Sequence, residues 1–442
     1  NATYPSTRFE YNADGTLARK LDAKNQKVEF TYDSDGRVTA ARRYSAGGTE
    51  DTCARVDTYY SSQSFDATFT ANATARVAAV ATGCSSIGAG QLIEMYSYTV
   101  AGAVTKKRLR IVRSGGTVDK DVTYTYASDG KLATVLYPGA STPYSYVYDL
   151  MDRPVKMTGP VNYFASTAVD IVKDVAFGAA GNVTTMKYLQ YENSGTPMYF
   201  TENKTYNGLF QMTRESTTAA GGATVADIEY TFASTTNNGR ITERKNYVSG
   251  EDVLYSYDEL NRLITASIAG SGGWGQTFTH DGFGNLWSQA VTKGTAPVMS
   301  HSIDMVTNRI NTSTSWAYDD NGNTTKMAIL GGGSATMTYD IDNRMSTWAG
   351  PSGTESYGYL ADNKRVWKKT PGGVETYYFY GVGGQKLATY SVVASPFSLG
   401  LVSDSVYFGG KMIRSDGVSI VRDRLGSVVK RMAVKALLVR PI

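Results

Sequence analysis

One short segment recurs along the chain and constrains its fold more than any other feature. Its clearest copy, residues 255–263, reads Tyr-Ser-Tyr-Asp-Glu-Leu-Asn-Arg-Leu. The two tyrosines, the second of which is Tyr257, lie two positions apart, so both rings point to one face of a β-strand. Asp258 and Asn261 bracket a short turn, because their side chains can bond the local backbone and Asn tolerates a positive φ. Arg262 begins a return strand, and the segment predicts a β-hairpin.

Five further copies repeat this order of tyrosine, turn and return strand. The residues at their repeat positions are Tyr32, Asp33, Gly36 and Arg37; Tyr126 and Gly130; Tyr148, Asp149 and Arg153; Tyr318, Asp319 and Gly322; and Tyr339, Asp340, Asn343 and Arg344. The most regular stretch has aromatic residues at 318, 339, 359 and 379, spaced by 21, 20 and 20 residues. A unit that recurs with this period indicates a repeat architecture.

A period near 21 residues leaves room for two strands of about six residues and two short turns. Consecutive hairpins of this kind predict an all-β fold, a long antiparallel meander of about thirty strands by the number of recognisable copies. An open sheet rarely exceeds about ten strands without curling, so the meander must coil. A propeller would repeat every 40–50 residues or so, and the observed period disfavours it.

The pattern aromatic-x-Tyr-Asp-x-x-Gly/Asn-Arg-apolar resembles the YD repeat of the Rhs family. That repeat is shared with the shells of bacterial Tc toxins, wall-associated YD proteins and animal teneurins, and the resemblance covers residues 9–430. It implies a hollow spiral shell that encapsulates or presents a C-terminal polypeptide, often a toxin, in a secreted or cell-surface protein. The teneurin resemblance implies an alternative, a carbohydrate-binding or cell-cell adhesion module.

Four regions differ in how well they keep the repeat. Residues 1–40 hold clear copies, residues 41–120 lose the register, residues 121–430 carry a nearly continuous array, and residues 431–442 leave the pattern. The second region predicts an elaborated loop, with a short helix at 66–81 as the alternative. Its basic segment 106–110 is expected at a sheet edge or on an exposed face.

The end of the array resembles another part of the family. Asp423-Arg-Leu-Gly426-Ser427 is similar to the segment that begins the Rhs core-associated region, after which the chain looks truncated. An incomplete shell would leave an open sheet edge, where self-association or a partner strand is expected. Rhs toxins release their cargo by aspartyl self-cleavage near an Asp-Pro motif. The sequence has no Asp-Pro pair, so we expect no self-proteolysis.

Composition favours a wet, tyrosine-rich sheet. The chain has 32 Tyr against 14 Phe, and tyrosine packs its ring while its hydroxyl needs a partner. A net charge of +4 without a basic block does not favour a nucleic-acid partner, and no apolar run is long enough to span a bilayer. Cys53 and Cys84 are either two unpaired thiols or, in an exported protein, one disulfide.

No residue pattern indicates catalysis, a metal or a cofactor, and we expect the protein not to be an enzyme. The two histidines are His280 and His301, and the first occupies a repeat position usually held by Tyr. Paired carboxylates such as Asp319 and Asp320 recur at turns, where Asp is expected for structural reasons.

Overall fold

The fold is built almost entirely from β-strands. A computed structural model describes residues 6–61, 65–86, 88–193, 196–311, 315–329, 332–393 and 396–433. Within these ranges there are 37 strands and one short 3₁₀-helix, Thr52–Ala54, and no α-helix. The predicted all-β antiparallel meander is therefore confirmed. No helix of the described ranges is long and apolar enough to cross a membrane.

The strands follow the chain in a simple order. The first ten are β1 (Arg8–Tyr11), β2 (Leu17–Leu21), β3 (Lys27–Tyr32), β4 (Val38–Tyr44), β5 (Val56–Tyr60), β6 (Val77–Thr82), β7 (Gln91–Tyr98), β8 (Val104–Arg113), β9 (Gly116–Tyr126) and β10 (Leu132–Leu136). The next fifteen are β11 (Tyr144–Tyr148), β12 (Pro154–Pro160), β13 (Ala168–Phe177), β14 (Val183–Asn193), β15 (Thr196–Tyr206), β16 (Met212–Thr218), β17 (Thr224–Phe232), β18 (Ile241–Asn246), β19 (Glu251–Tyr257), β20 (Leu263–Ile268), β21 (Gly275–His280), β22 (Leu286–Lys293), β23 (Met299–Ser300), β24 (Ile303–Asp304) and β25 (Arg309–Ile310). The last twelve are β26 (Ala317–Tyr318), β27 (Thr324–Ala328), β28 (Ser334–Tyr339), β29 (Met345–Gly350), β30 (Gly353–Tyr359), β31 (Arg365–Lys369), β32 (Glu375–Tyr380), β33 (Lys386–Val393), β34 (Ser398–Phe408), β35 (Lys411–Ser415), β36 (Val418–Arg422) and β37 (Val428–Ala433).

Contacts between Cα atoms divide the chain into two compact units. Unit 1 contains Asn1–Pro143 and Ser313–Asp404, and unit 2 contains Tyr144–Thr312 and Ser405–Ile442. The boundaries predicted at residues 40, 120 and 430 follow the regularity of the repeat along the sequence, and they stay a prediction.

In each unit, strands pair antiparallel with their neighbours in sequence. Unit 1 has two such meanders, β1 to β10 and β26 to the first part of β34. Unit 2 has β11 to β23, the separate hairpin β24–β25, and a ladder from the end of β34 to β37. Short connections between adjacent strands explain this topology, because each hairpin closes locally.

The region with the weakest repeat pattern also forms strands. Strands β4 to β9 continue the meander, and residues 66–81 contain the end of a long connection and then β6 rather than an α-helix. The basic segment 106–110 lies in β8, which is paired on both sides and is not at a sheet edge. Acidic residues of the flanking strands neutralise it. Lys107 Nζ lies 2.7 Å from Glu94, and Arg108 Nε lies 2.7 Å from Asp121.

The two meanders of unit 1 contact each other through long polar side chains. The Tyr390 hydroxyl donates to the Pro138 carbonyl at 3.1 Å, and the Val382 backbone N–H donates to the Tyr124 hydroxyl at 3.1 Å. A smaller apolar cluster lies within the first meander. It contains Phe69, Ala79, Ala81, Ile93 and Met95. Packing in this unit therefore combines a modest core with many specific hydrogen bonds.

The disulfide joins two connections at one end of unit 1. Cys53 lies in the 3₁₀-helix and Cys84 follows β6, and the structure bonds them across a sequence separation of 31 residues. The Asp51 carboxylate accepts hydrogen bonds from the backbone N–H groups of Cys53 and Ala54 at 3.0 and 3.2 Å, which fixes the cysteine's backbone. The bridge thus closes a loop in the region with the weakest repeat pattern.

Removing this bridge should destabilise the protein. For a loop of this length the chain-entropy model gives about 3–4 kcal/mol. We expect the double variant C53S/C84S to unfold at lower urea concentration than the wild type, and reductant to shift the wild type to the same midpoint. Reductant should leave the double variant unchanged. Equal midpoints for all four samples would contradict the prediction.

Candidate functional site

The recurrent feature of both units is a five-residue turn, here called the repeat turn. In residues 33–37, the Asp33 N–H donates to the Arg37 carbonyl at 3.0 Å and the Gly36 N–H donates to the Asp33 carbonyl at 3.1 Å. The Asp33 carboxylate accepts from the backbone N–H groups of Asp35 and Arg37 at 3.0 and 2.9 Å. The register shifts by one residue between Tyr32 and its partner. This is the arrangement of a tight turn followed by a left-handed bulge residue.

The other predicted turns share this geometry. Asp149, Asp258, Asp319 and Asp340 each accept a backbone N–H from the residue four positions later, at 2.8–3.0 Å. The turn at residues 127–131 has the same backbone bonds, although Asp129 replaces the leading aspartate as acceptor. The fourth residue is left-handed in every case: φ is 73° at Gly36, 85° at Gly130, 66° at Asn261, 88° at Gly322 and 61° at Asn343.

The segment at residues 423–427 is one more repeat turn. Asp423 accepts from the N–H groups of Leu425 and Ser427 at 3.0 and 2.8 Å, and Gly426 has a φ of 81°. Its resemblance to the start of a core-associated region had set it apart from the repeat. The spacing of Asp and Gly was the sequence signal that could have identified it as a turn.

Each repeat tyrosine ends a strand and bonds backward to the preceding hairpin. Tyr32, Tyr126, Tyr148, Tyr257, Tyr318 and Tyr339 are the last residues of β3, β9, β11, β19, β26 and β28. The Tyr257 hydroxyl donates to the Ile241 carbonyl at 2.9 Å, and the Tyr339 hydroxyl donates to the Thr324 carbonyl at 2.8 Å. The acceptor is the first residue of a return strand one repeat earlier. Equivalent bonds of 2.7–3.2 Å are made by Tyr32, Tyr60, Tyr98, Tyr126, Tyr206, Tyr359 and Tyr380.

The arginine at the end of the turn bonds in the opposite direction, toward the next repeat. Arg344 Nε donates to its own Asp340 at 2.8 Å, while its Nη1 donates to the Leu360 carbonyl at 3.2 Å. Its guanidinium lies 5.1 Å from the ring centroid of Tyr359. Arg37 over Tyr60 and Arg153 over Phe177 repeat this stacking at 4.4 and 4.2 Å, and Arg262 Nη1 donates to the Asp281 carbonyl at 3.0 Å.

Tyrosine and arginine therefore tie every hairpin to both of its neighbours. Sequence reasoning had expected ladders of stacked tyrosine rings. The structure instead uses the hydroxyl groups, which explains why the array needs tyrosine rather than phenylalanine. A single sequence shows which face a tyrosine occupies, but it does not show which carbonyl lies within reach of its hydroxyl.

Electrostatics follow from these contacts. The side chain of Arg37, and then its backbone N–H, hold the pKa of Asp33 below its ordinary value, and Arg153 acts in the same way on Asp149. Burial raises the pKa values of the repeat tyrosines Tyr98, Tyr126 and Tyr257. Charged aspartate and neutral tyrosine are thus the forms that the folded sheet favours.

Unit 2 also contains buried charges that no repeat pattern indicated. Glu202 is 2% exposed, lies 3.0 Å from Lys204 Nζ, and forms a short ion pair with Lys411. Burial opposes the charge of this carboxylate, but the two lysines together hold the pKa of Glu202 below its ordinary value. Arg414 is 3% exposed and donates to the Tyr144 hydroxyl at 2.6 Å. These contacts hold β35 on the earlier strands of unit 2.

The clefts of the described chain are open. One of about 330 Å³ includes Asp33, Arg37 and Tyr60 in its lining, so it lies over a link between repeats. Another of about 340 Å³ includes Trp287 and His301, and the His301 N–H donates to the Trp287 carbonyl at 2.8 Å. His280 ends β21 at the repeat tyrosine position. Among the described residues, no group of three or more His, Cys, Asp or Glu side chains is placed to hold a metal ion.

Solved Tc toxin structures share this arrangement of strands. The Tc holotoxin pore of Photorhabdus luminescens, in a TccC3 variant, aligns with a TM-score of 0.69 and 12% identity over 97% of this chain and 24% of that chain. The fold of this chain is that of the Tc toxin proteins. TcdB2-TccC3 gives 0.66 and 13% over 94% of this chain and 22% of its own. TcdB2-TccC3-Cdc42 gives 0.68 and 12% over 96% and 23%.

The resemblance to the Rhs and YD-repeat sheet is thus confirmed at the level of the fold. This chain spans less than a quarter of the length of the chains it matches. No protein-family model matches the chain, and no curated protein is significantly similar to it. The sequence pattern and the fold therefore carry the comparison together.

Removing one tyrosine hydroxyl should weaken the link between two hairpins. Tyr257→Phe loses the bond to the Ile241 carbonyl, and the loss of such a bond typically costs about 0.5–1.5 kcal/mol. Tyr255→Phe is the matched control, because among the described residues its hydroxyl has no hydrogen-bond partner. We expect urea unfolding to show a lower midpoint for Tyr257→Phe alone. Equal effects of both substitutions would contradict the link.

The turn aspartates should make stability fall in acid. Because their folded pKa lies below the unfolded value of about 3.9, their contribution is present above that pH and is lost as pH falls through the lower folded pKa. The double variant D258N/R262Q copies the natural turn at residues 207–211, where Asn207 accepts the same backbone N–H groups and pairs with Gln211 at 2.7 Å. Melting temperatures measured from neutral pH to below pH 4 should converge for variant and wild type in acid. Parallel curves would contradict this.

Proposed function

We propose that the chain is a wall segment of an exported YD-repeat shell that encloses a polypeptide and has no catalytic role. The observation that carries this proposal is the Tc toxin fold along nearly the whole chain, 97% in the longest alignment. A shell-like sheet is the coarse property shared with those proteins. Enclosure of a cargo and export are the finer steps that we add.

The links between repeats support a wall that does not open between hairpins. Every hairpin is held to its neighbours by backbone ladders and by the tyrosine and arginine contacts described above. In unit 1, a second layer is attached by Tyr390, Arg43 and Lys24, with Arg43 bonded to Asp342 at 2.8 Å and Lys24 to Asp319 at 3.2 Å. Specific polar contacts of this kind fix the register of one layer on another.

The chemistry of the strand surfaces suits an inert wall. Just before the repeat tyrosine, several strands place a hydroxyl residue that pairs across the hairpin. Thr31 and Thr39 lie 3.2 Å apart, and Thr205 and Thr213 lie 2.9 Å apart, all of them exposed. Paired hydroxyl groups satisfy one another and present little apolar surface. Such a face adheres weakly to a non-native polypeptide.

Two further observations support export and a non-catalytic role. The Cys53–Cys84 disulfide is typical of proteins that mature in an oxidising compartment. The turn carboxylates, which are the repeated acidic groups of the sequence, already accept two or three hydrogen bonds each from the turn, as Asp149 does. Their chemistry is used in folding.

Protection from protease tests enclosure. The full reading frame that contains this chain should be expressed, and the purified protein treated with proteinase K. We expect polypeptide that is enclosed by the sheet to stay intact until urea unfolds the array, because a wall excludes the protease. Mass spectrometry of the surviving fragments provides the readout.

The same polypeptide expressed without the array is the control, and it should be digested at once. Equal digestion in both forms would reject enclosure. If the array instead bound glycans through the cleft that contains Trp287, the carbohydrate-binding alternative would replace the shell.

A further inference from the structure

The central residues of repeat turns are the points where one part of this sheet seats on another. In unit 1, the Asn321 side chain donates to the Asp22 carboxylate at 2.6 Å, and Asp342 pairs with Arg43 at 2.8 Å. In unit 2, the backbone N–H of Arg424 donates to Glu215 at 2.7 Å. Each of the three turns meets an earlier part of the same unit. These turn residues are polar or bond through the backbone, and their receivers are polar as well.

A second set of turns in unit 2 is uncovered and apolar. Strands β11 to β22 pair in sequence, so the turns that join β11 to β12, β15 to β16, β19 to β20 and β21 to β22 lie at one edge of the meander. Their exposed side chains, here called the apolar turn row, are Leu150, Met151, Leu209, Phe210, Leu260 and Phe283. Each is between 64% and 104% exposed. A connected row of large apolar side chains on a surface marks an interaction site.

Phe210 gives an independent sign of function. It occupies the left-handed fourth position of its turn with a φ of 59°, where the other repeat turns named here have Gly, Asn or Asp. A bulky aromatic residue in this conformation is strained, and such strain is found where another requirement outweighs it. The side chain is 64% exposed, so packing within the chain does not supply that requirement.

We infer that the apolar turn row is a self-association surface, and that its partner is the same row on a second copy of this chain. The row recurs every two strands, or every four where a turn lacks a large apolar residue. Two strand spacings correspond to about 10 Å. A second copy offers side chains of the same kind at the same spacing, so two rows can interdigitate about a two-fold axis.

The polar receivers of unit 1 do not fit this row. Asp22, Arg43 and Glu215 accept polar turns, and an apolar turn placed on them would leave their charges unpaired. A standard interface buries about 800 Å² per partner, and six side chains of this size supply a large part of the apolar share. The proposal concerns turns and does not require an open strand edge.

The test is sedimentation equilibrium of the purified chain and a triple variant. The variant combines Phe210→Asn, Leu260→Ser and Phe283→Ser, all at exposed turn positions. We expect the wild type to dimerise and the triple variant to bind itself at least about tenfold more weakly, the loss that corresponds to roughly 1.4 kcal/mol. Phe210→Asn alone should raise the melting temperature, because Asn accepts a positive φ.

Phe164→Ser is the matched control. Phe164 is 76% exposed and lies in the β12–β13 connection, at the opposite edge of the same meander, so its loss should not change the dimer. A wild type that is monomeric at every concentration would overturn the inference. A triple variant that dimerises as well as the wild type would also overturn it, and would move the contact to a strand edge or another surface.

Discussion

A carboxylate at the start of the repeat turn is the group on which the sheet depends. In one clear case, Asp340 fixes the turn backbone with one oxygen and Arg344 with the other. Arg344 then lies over the ring of Tyr359, and the Tyr359 hydroxyl returns to the carbonyl of Met345, the residue after the arginine. Four residues thus close a ring of contacts between two adjacent repeats. Each contact contributes about 1 kcal/mol or less, but the ring recurs along the array.

This nearest-neighbour scheme explains how a sheet so rich in tyrosine and glycine stays folded. A repeat array is stabilised chiefly by contacts between adjacent units, so a single large core is unnecessary. Contacts between successive layers of a unit use buried charges instead, as with Glu202 and Lys411. Removing one member of such a pair leaves an unpaired buried charge, and for this reason the pairs specify register more than they add stability.

The parts of the structure that sequence reasoning predicted are those encoded within a few adjacent residues. The hairpins, the left-handed Gly36 and Asn343, and the strand-ending Tyr257 all follow from turn chemistry and alternation. Contacts between distant residues could not be predicted in this way. Lys411 and Glu202 are 209 residues apart, and no local pattern connects them. The basic segment containing Arg108 was expected at an edge or on an exposed face because its acidic partners lie in other strands.

The frame of the turn is separable from the residues it displays. At residues 207–211 an amide pair, Asn207 with Gln211, replaces the aspartate and arginine and keeps the same backbone bonds. The central positions are therefore released from folding and can diverge, which is why one turn carries polar Asn321 and another carries Phe210. Asn321 is bonded to an earlier layer, and Phe210 faces solvent at a conformational penalty. A chain built on this frame can change what its surface binds without changing how its sheet folds, so the turn centres are where its specificity should be sought.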